Sequence, residues 1–182
     1  MLGLLRALFN ALVDILLLRR GPENVPASVA LLALVVAVDV AFTLLFASQF
    51  PEASRPSPLN LAVSIALTML TYRVVLGLAR KPERFLQTMT AFYGTNAIFS
   101  PLVLPMLATF ATSAAAKTQP PMLILIGLFL IGVWGIVVGI YILRSATEWT
   151  TGPTVAVFIA QNLVLYLIVM SLFGGLTPVT GP

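Results

Sequence analysis

PPMLILIGLFLIGVWGIVVGIYIL, residues 120–143, runs for 24 positions without a charged side chain. At about 1.5 Å per residue, a helix of that length reaches about 36 Å, enough to cross the roughly 30 Å hydrocarbon core of a bilayer. The run is too long for a strand and does not alternate. Four further stretches read the same way, at 27–49, 58–79, 86–111 and 153–174. Turn chemistry separates them. Gln49 to Pro58 holds Pro51, Pro56 and Pro58, and Arg80-Lys81-Pro82-Glu83-Arg84 is a charged turn. Lys117-Thr118-Gln119-Pro120-Pro121 and Arg144 to Pro153 close the set. Ser57-Pro58 and Thr151 to Pro153 have the form of helix starts, since proline lacks the amide hydrogen that a first turn leaves unused.

Composition agrees. Of 182 residues, 59% are apolar and 9% charged, and the mean hydropathy is +1.04. A soluble domain carries about 25% charged residues, so this chain lacks the polar surface to face water all round. The expected fold is all-α: a polytopic membrane helix bundle with five transmembrane helices over 27–175. A separate helix over 1–20 precedes it, and a short tail, 176–182, follows.

The absence of His and Cys removes imidazole-ligated haem, Cys/His zinc sites, disulfides, thiol nucleophiles and His general bases. Besides Asp39, the carboxylates are Asp14, Glu23, Glu52, Glu83 and Glu148. They are scattered over loops, with no spacing suited to acid–base work or a metal. No enzyme, metal or cofactor is expected. The net charge of +4 is small and divided among loops, so nucleic acid is not an expected partner.

Lys and Arg are distributed unevenly. Arg6, Arg19, Arg20, Arg80, Lys81, Arg84 and Arg144 fall on one side of the threaded chain; Arg55 and Lys117 fall on the other. By the positive-inside rule the amino terminus is cytoplasmic and the carboxyl terminus outside. Arg outnumbers Lys eight to two, a bias of GC-rich bacterial chains, which gives a bacterial cytoplasmic (inner) membrane as the expected location. Trp149, near the cytoplasmic boundary, suits an interfacial anchor.

In residues 1–20, Arg6, Asn10 and Asp14 recur every four residues and form one narrow polar stripe on an otherwise apolar helix. That pattern predicts an amphipathic helix sunk in the interface with its stripe toward water. A short sixth span is one alternative. A signal peptide is the other, and it fits poorly: Arg19-Arg20 follows the apolar run, and no small-x-small cleavage site appears.

Asp39 stands deepest. At about 18 Å into the first span a charge costs at least about 2.5–3.5 kcal/mol. It is either a proton or cation relay or, the favoured reading, a buried structural carboxylate. Arg73, inside the second span, is its candidate partner, with snorkelling toward the cytoplasm as the competing behaviour. Asn96, Gln161 and Asn162 approach the same level. Asp39, Asn96, Gln161 and Asn162 are therefore expected to form an interhelical polar network that sets helix register, with Arg73 at its margin. A substrate cavity is the livelier alternative. Pro101 and Pro105 interrupt the third span, as a static kink or, less in keeping with spanning helices, as a hinge. Gly132, Gly135 and Gly139 share a side of the fourth span and predict close helix packing, within the chain or between copies.

One stretch carries a resemblance: Gly77-Leu78-Ala79-Arg80-Lys81-Pro82-Glu83-Arg84-Phe85-Leu86-Gln87-Thr88-Met89-Thr90-Ala91-Phe92-Tyr93-Gly94. With Pro101 and Pro105, with Trp134 and Ile142-Leu143-Arg144 closing the fourth span, and with Gly152 to Ala156 opening the fifth, it resembles the Yip family of five-span membrane proteins over residues 58–175. The resemblance implies a five-helix fold with a cytosolic amino terminus. Eukaryotic members are tied to vesicle traffic through prenylated small GTPases and other Yip-like subunits, by way of a long polar amino-terminal region. This chain has some 26 residues before its first span, so that role does not carry over to a bacterial-type member.

The expected function is non-enzymatic: a scaffold or accessory subunit in the lipid bilayer, associating with another membrane protein or with itself as a homo-oligomer. The alternative is a small carrier or channel with Asp39 as its proton- or cation-responsive group.

Overall fold

Helix starts and stops in the computed structural model follow local chemistry. The structure describes residues 2–52, 55 and 57–173; the tail 176–182 and Pro56 lie outside them. The order is α1 (Leu2–Leu16), α2 (Val29–Phe46), α3 (Pro58–Leu78), α4 (Phe85–Ala115), α5 (Met122–Thr147) and α6 (Thr151–Phe173), with 3-10 turns at Pro22–Asn24, Ala47–Gln49 and Pro82–Arg84. No strand occurs among the described residues. Ser28 Oγ accepts from Leu31 N at 3.4 Å and caps α2; Ser57 Oγ accepts from Asn60 N at 3.1 Å and caps α3. Pro58 takes the first helical position of α3.

Four helices end on a left-handed residue that is not glycine: Leu18 (φ 58°), Arg80 (φ 57°), Lys117 (φ 54°) and Glu148 (φ 60°). Behind three of them the backbone folds over the last turn in a Schellman motif. Arg19 N donates to Asp14 O, Lys81 N to Leu76 O and Thr118 N to Ser113 O. Glu148 N makes the simpler bond to Arg144 O at 2.8 Å.

Five helices, α2 to α6, are long and apolar enough to cross a membrane. Leu45, Leu78, Met122, Leu123, Phe129 and Leu130 are among the many large apolar side chains on their outer faces. Such a surface is stable in hydrocarbon and not in water, and the chain is an integral membrane protein. The bounds move from expectation by a turn at most. α4 is the longest, 31 residues or about 46 Å, more than a bilayer core needs, so it tilts or protrudes.

α4 is the axis of the bundle: α1, α2, α3 and α5 all pack on it, and α6 closes against α3 and α5. The core is concentrated toward one end. It gathers Leu31, Leu32 and Val35 of α2, Tyr72, Val75 and Leu76 of α3, Met89, Ala91 and Tyr93 of α4, and Val138, Ile142 and Leu143 of α5. In the other half, Ala108 is the one buried apolar residue of α4. Packing there is looser, and room is left between helices.

α1 joins this core. Leu8, Leu12 and Ile15 are buried in it, and Trp134 Nε1 donates to the Leu16 carbonyl at 3.2 Å. Gly94 makes the approach possible, since a Cβ there would stand 2.6 Å from the Leu12 side chain. The polar stripe turns outward. Arg6 and Asn10 are exposed, and Asp14 pairs with Arg20 Nε at 3.2 Å.

Candidate functional site

Asp39, ten residues into α2, faces α4. Its Oδ1 accepts from Ser100 Oγ at 2.9 Å. The same hydroxyl lies 2.9 Å from the Asn96 carbonyl, one turn back on α4. One hydroxyl hydrogen cannot serve both acceptors fully, and Asp39 Oδ2 has no hydrogen-bond donor among the described residues.

These groups head a groove of about 450 Å³ between α2, α4 and α5. Its walls are apolar, with Phe99, Val103 and Leu104 on α4 and Leu128 and Ile131 on α5. From Asn96 to Leu107 the α4 wall runs about 16 Å, away from the packed end. Gly132 and Gly135 form part of the α5 wall, and a Cβ at either would meet nothing within 4 Å. Gly139 behaves differently: a Cβ there would stand 2.6 Å from the Phe158 ring of α6. Of the three glycines, only Gly139 packs one helix on another within the chain; the other two border open space.

The expected polar network divides. Asp39 and Asn96 stand together, joined through Ser100. Gln161 is buried beside Tyr72 of α3 and makes no hydrogen bond to Asp39 or Asn96 among the described residues. The Tyr72 hydroxyl and Gln161 Oε1 fall short of hydrogen-bonding geometry with any described residue. Asn162 turns outward and donates to its own helix at Phe158 O, 2.7 Å away. Arg73 makes no ion pair among the described residues; it lies over the Phe85 ring, 5.5 Å from the centroid. Phe85 opens α4 at the basic end, so Arg73 reaches that way, as a snorkelling side chain does, and not toward Asp39. Pro101 and Pro105 sit within an α-helix that stays continuous through both, so α4 has no unwound segment there.

A second polar cluster lies at the packed end. Lys81 Nζ contacts Glu148 Oε2 at 2.8 Å, and Arg84 Nη2 holds Glu148 Oε1. Arg84 Nη1 also donates to the Ser145 and Ala146 carbonyls at 3.0 and 3.3 Å, covering acceptors that the last turn of α5 leaves open. Gln87 Nε2 donates to Glu23 O at 3.2 Å. Segments 21–25, 80–87 and 144–149 are thereby clasped together, the segments that the count of Lys and Arg places on one side. Hydrogen bonds from Lys81 and then Arg84 hold the Glu148 carboxyl below its usual range.

Neither a family model, nor a curated protein, nor a solved structure matches this chain.

Sequence reasoning passed over Ser100 and the Glu148 clasp. Ser100 was within reach: it lies one helical turn after Asn96 and so shares its face. The clasp joins residues more than sixty positions apart, and nothing local marks it. Among the described residues no three Asp or Glu side chains gather where a metal could be held.

Proposed function

We propose that this protein is a non-enzymatic scaffold or accessory subunit of the bacterial cytoplasmic membrane, related to the Yip family and associating laterally with membrane proteins. In this reading residues 21–25, 80–87 and 144–149 form its cytoplasmic end, and α1 is an interfacial helix sunk against the flank of the bundle. The observation that carries it is the groove below Asp39. A spanning protein that needs only its own fold gains little from two glycines that border open space, whereas small residues are what let another helix approach closely in a membrane. The polar groups at the head of the groove supply one hydrogen-bonding point in otherwise apolar surroundings. A carrier reading rests on Asp39 alone, since no second acidic or basic side chain among the described residues lines the groove.

Purification from native membranes in mild detergent, followed by mass spectrometry, tests the proposal. A reproducible stoichiometric partner, another protein or a second copy, is the expected result. A monomer recovered alone from several mild detergents would count against it.

A further inference from the structure

Arg144 is the first charged residue after the uncharged positions 120–143, so it marks where α5 leaves the hydrocarbon. Tyr141, Arg144, Ser145 and Glu148 follow one another at steps of three, one and three residues and share one face at the end of α5. With Trp149 they line a hollow of about 310 Å³, at the small end of the range for ligand sites. A second hollow, of about 520 Å³, shares Glu148 and Trp149 as its wall and reaches Pro153 and Val157 at the start of α6. The first is lined largely by polar groups, the second largely by apolar ones.

The donors of the first hollow are idle. Arg144 makes no ion pair among the described residues, although Glu148 lies four positions on; the two Glu148 oxygens are taken by Lys81 and Arg84. The Tyr141 hydroxyl, the Ser145 hydroxyl and the Trp149 indole nitrogen likewise have no hydrogen-bond partner among the described residues. Other basic side chains at this end are engaged: Arg20 with Asp14, Arg73 on the Phe85 ring, Lys81 and Arg84 on Glu148. Arg80 is exposed and lies outside the hollow.

A helix C-terminus ordinarily repels an anion. Here Arg84 covers the Ser145 and Ala146 carbonyls, and Lys81, Arg84 and Arg144 outnumber the one carboxylate. The hollow therefore suits a negative group. The adjoining apolar hollow, at the membrane boundary, suits a group that carries hydrocarbon. A zwitterionic headgroup would bring an ammonium, whose natural acceptor, Glu148, is already held twice; an anionic headgroup brings none.

We propose that this hollow binds the phosphodiester of an anionic phospholipid. Arg144 pairs with the phosphate oxygens, Tyr141 and Ser145 donate to the headgroup, and the acyl chains begin over Trp149, Pro153 and Val157. This goes beyond lateral association and does not depend on it.

In the full-length chain, Trp134→Phe leaves Trp149 as the only indole. The protein is reconstituted in phosphatidylcholine vesicles that carry brominated-chain phosphatidylglycerol or brominated-chain phosphatidylcholine. Quenching of Trp149 then reports which lipid stands beside it. Phosphatidylglycerol is expected to be preferred about 5-fold. Arg144→Gln is expected to abolish the preference, and Tyr141→Phe to reduce it with no change of charge. Arg80→Gln, which removes the same charge outside the hollow, is expected to leave it unchanged. Native mass spectrometry makes the same comparison on chains that keep Trp134: retention of phosphatidylglycerol over phosphatidylcholine at equal supply, lost on Arg144→Gln, is expected.

Equal quenching and equal retention of the two lipids would overturn the proposal. Equal losses from Arg144→Gln and Arg80→Gln would do so too, since they describe a diffuse basic surface. Relief of the quenching by inorganic phosphate or glycerol phosphate would identify a soluble anion as the occupant and overturn the lipid assignment.

Discussion

Three glycines on one helix have two different duties, decided by what lies opposite each. Gly139 faces an aromatic ring at a distance that leaves no room for a methyl group, whereas Gly135 faces the groove. Gly139→Ala should therefore lower stability by about 1–3 kcal/mol, the usual cost of overpacking a core. Gly135→Ala should leave the fold unharmed, since alanine is the better helix former and meets nothing. Thermal unfolding of the two variants in one detergent checks this, and equal losses would mean that the two positions are not distinct. The spacing of these glycines was legible in the sequence, but their division was not. Periodicity gives a face; it does not say whether a ring or empty space stands before it. The same limit applied to Asp39, Gln161 and Asn162. Depth along the chain brought them level, but the rotation of each helix, set by packing, sent them in different directions.

Helices and their boundaries were the most readable part, because bilayer thickness and apolar runs fix length with little help from tertiary contacts. The exact stops were less so. α1, α3, α4 and α5 end on left-handed Leu18, Arg80, Lys117 and Glu148, where glycine is the usual signal. At exposed Lys117 a side chain in that conformation costs about 1–2 kcal/mol. Lys117→Gly is expected to regain about 1 kcal/mol of that, seen as a rise in unfolding midpoint. A lower midpoint would mean that Lys117 makes a contact worth more than its strain. At α4 Pro101 and Pro105 lie inside the helix. Each removes one backbone bond, yet the helix continues through both, with Thr109 Oγ1 donating to the Pro105 carbonyl at 2.9 Å.

For the whole molecule the governing feature is uneven packing, dense at the clasped end and open beyond Asp39. Glu148 joins the α5–α6 turn to Lys81 and Arg84, and its carboxyl is held below the ordinary glutamate value of 4.5. A depressed acid contributes stability that is present above its unfolded-state value and is lost as pH falls through the folded-state value. The clasp should thus be intact at neutral pH and weaken below about pH 4.5. Glu148→Gln should remove that acid-side component from the dependence of unfolding midpoint on pH, while leaving the near-neutral plateau flat. A wild-type profile with the same acid limb as Glu148→Gln would show that the clasp does not report on stability.

Because the helices are sealed together at the basic end, the gap beside Asp39 communicates sideways with the acyl chains of the opposite leaflet. A partner that docks there would arrive by diffusion within the plane of the membrane. A molecule approaching through water from the basic end meets the clasped segments 21–25, 80–87 and 144–149 before it reaches this carboxylate.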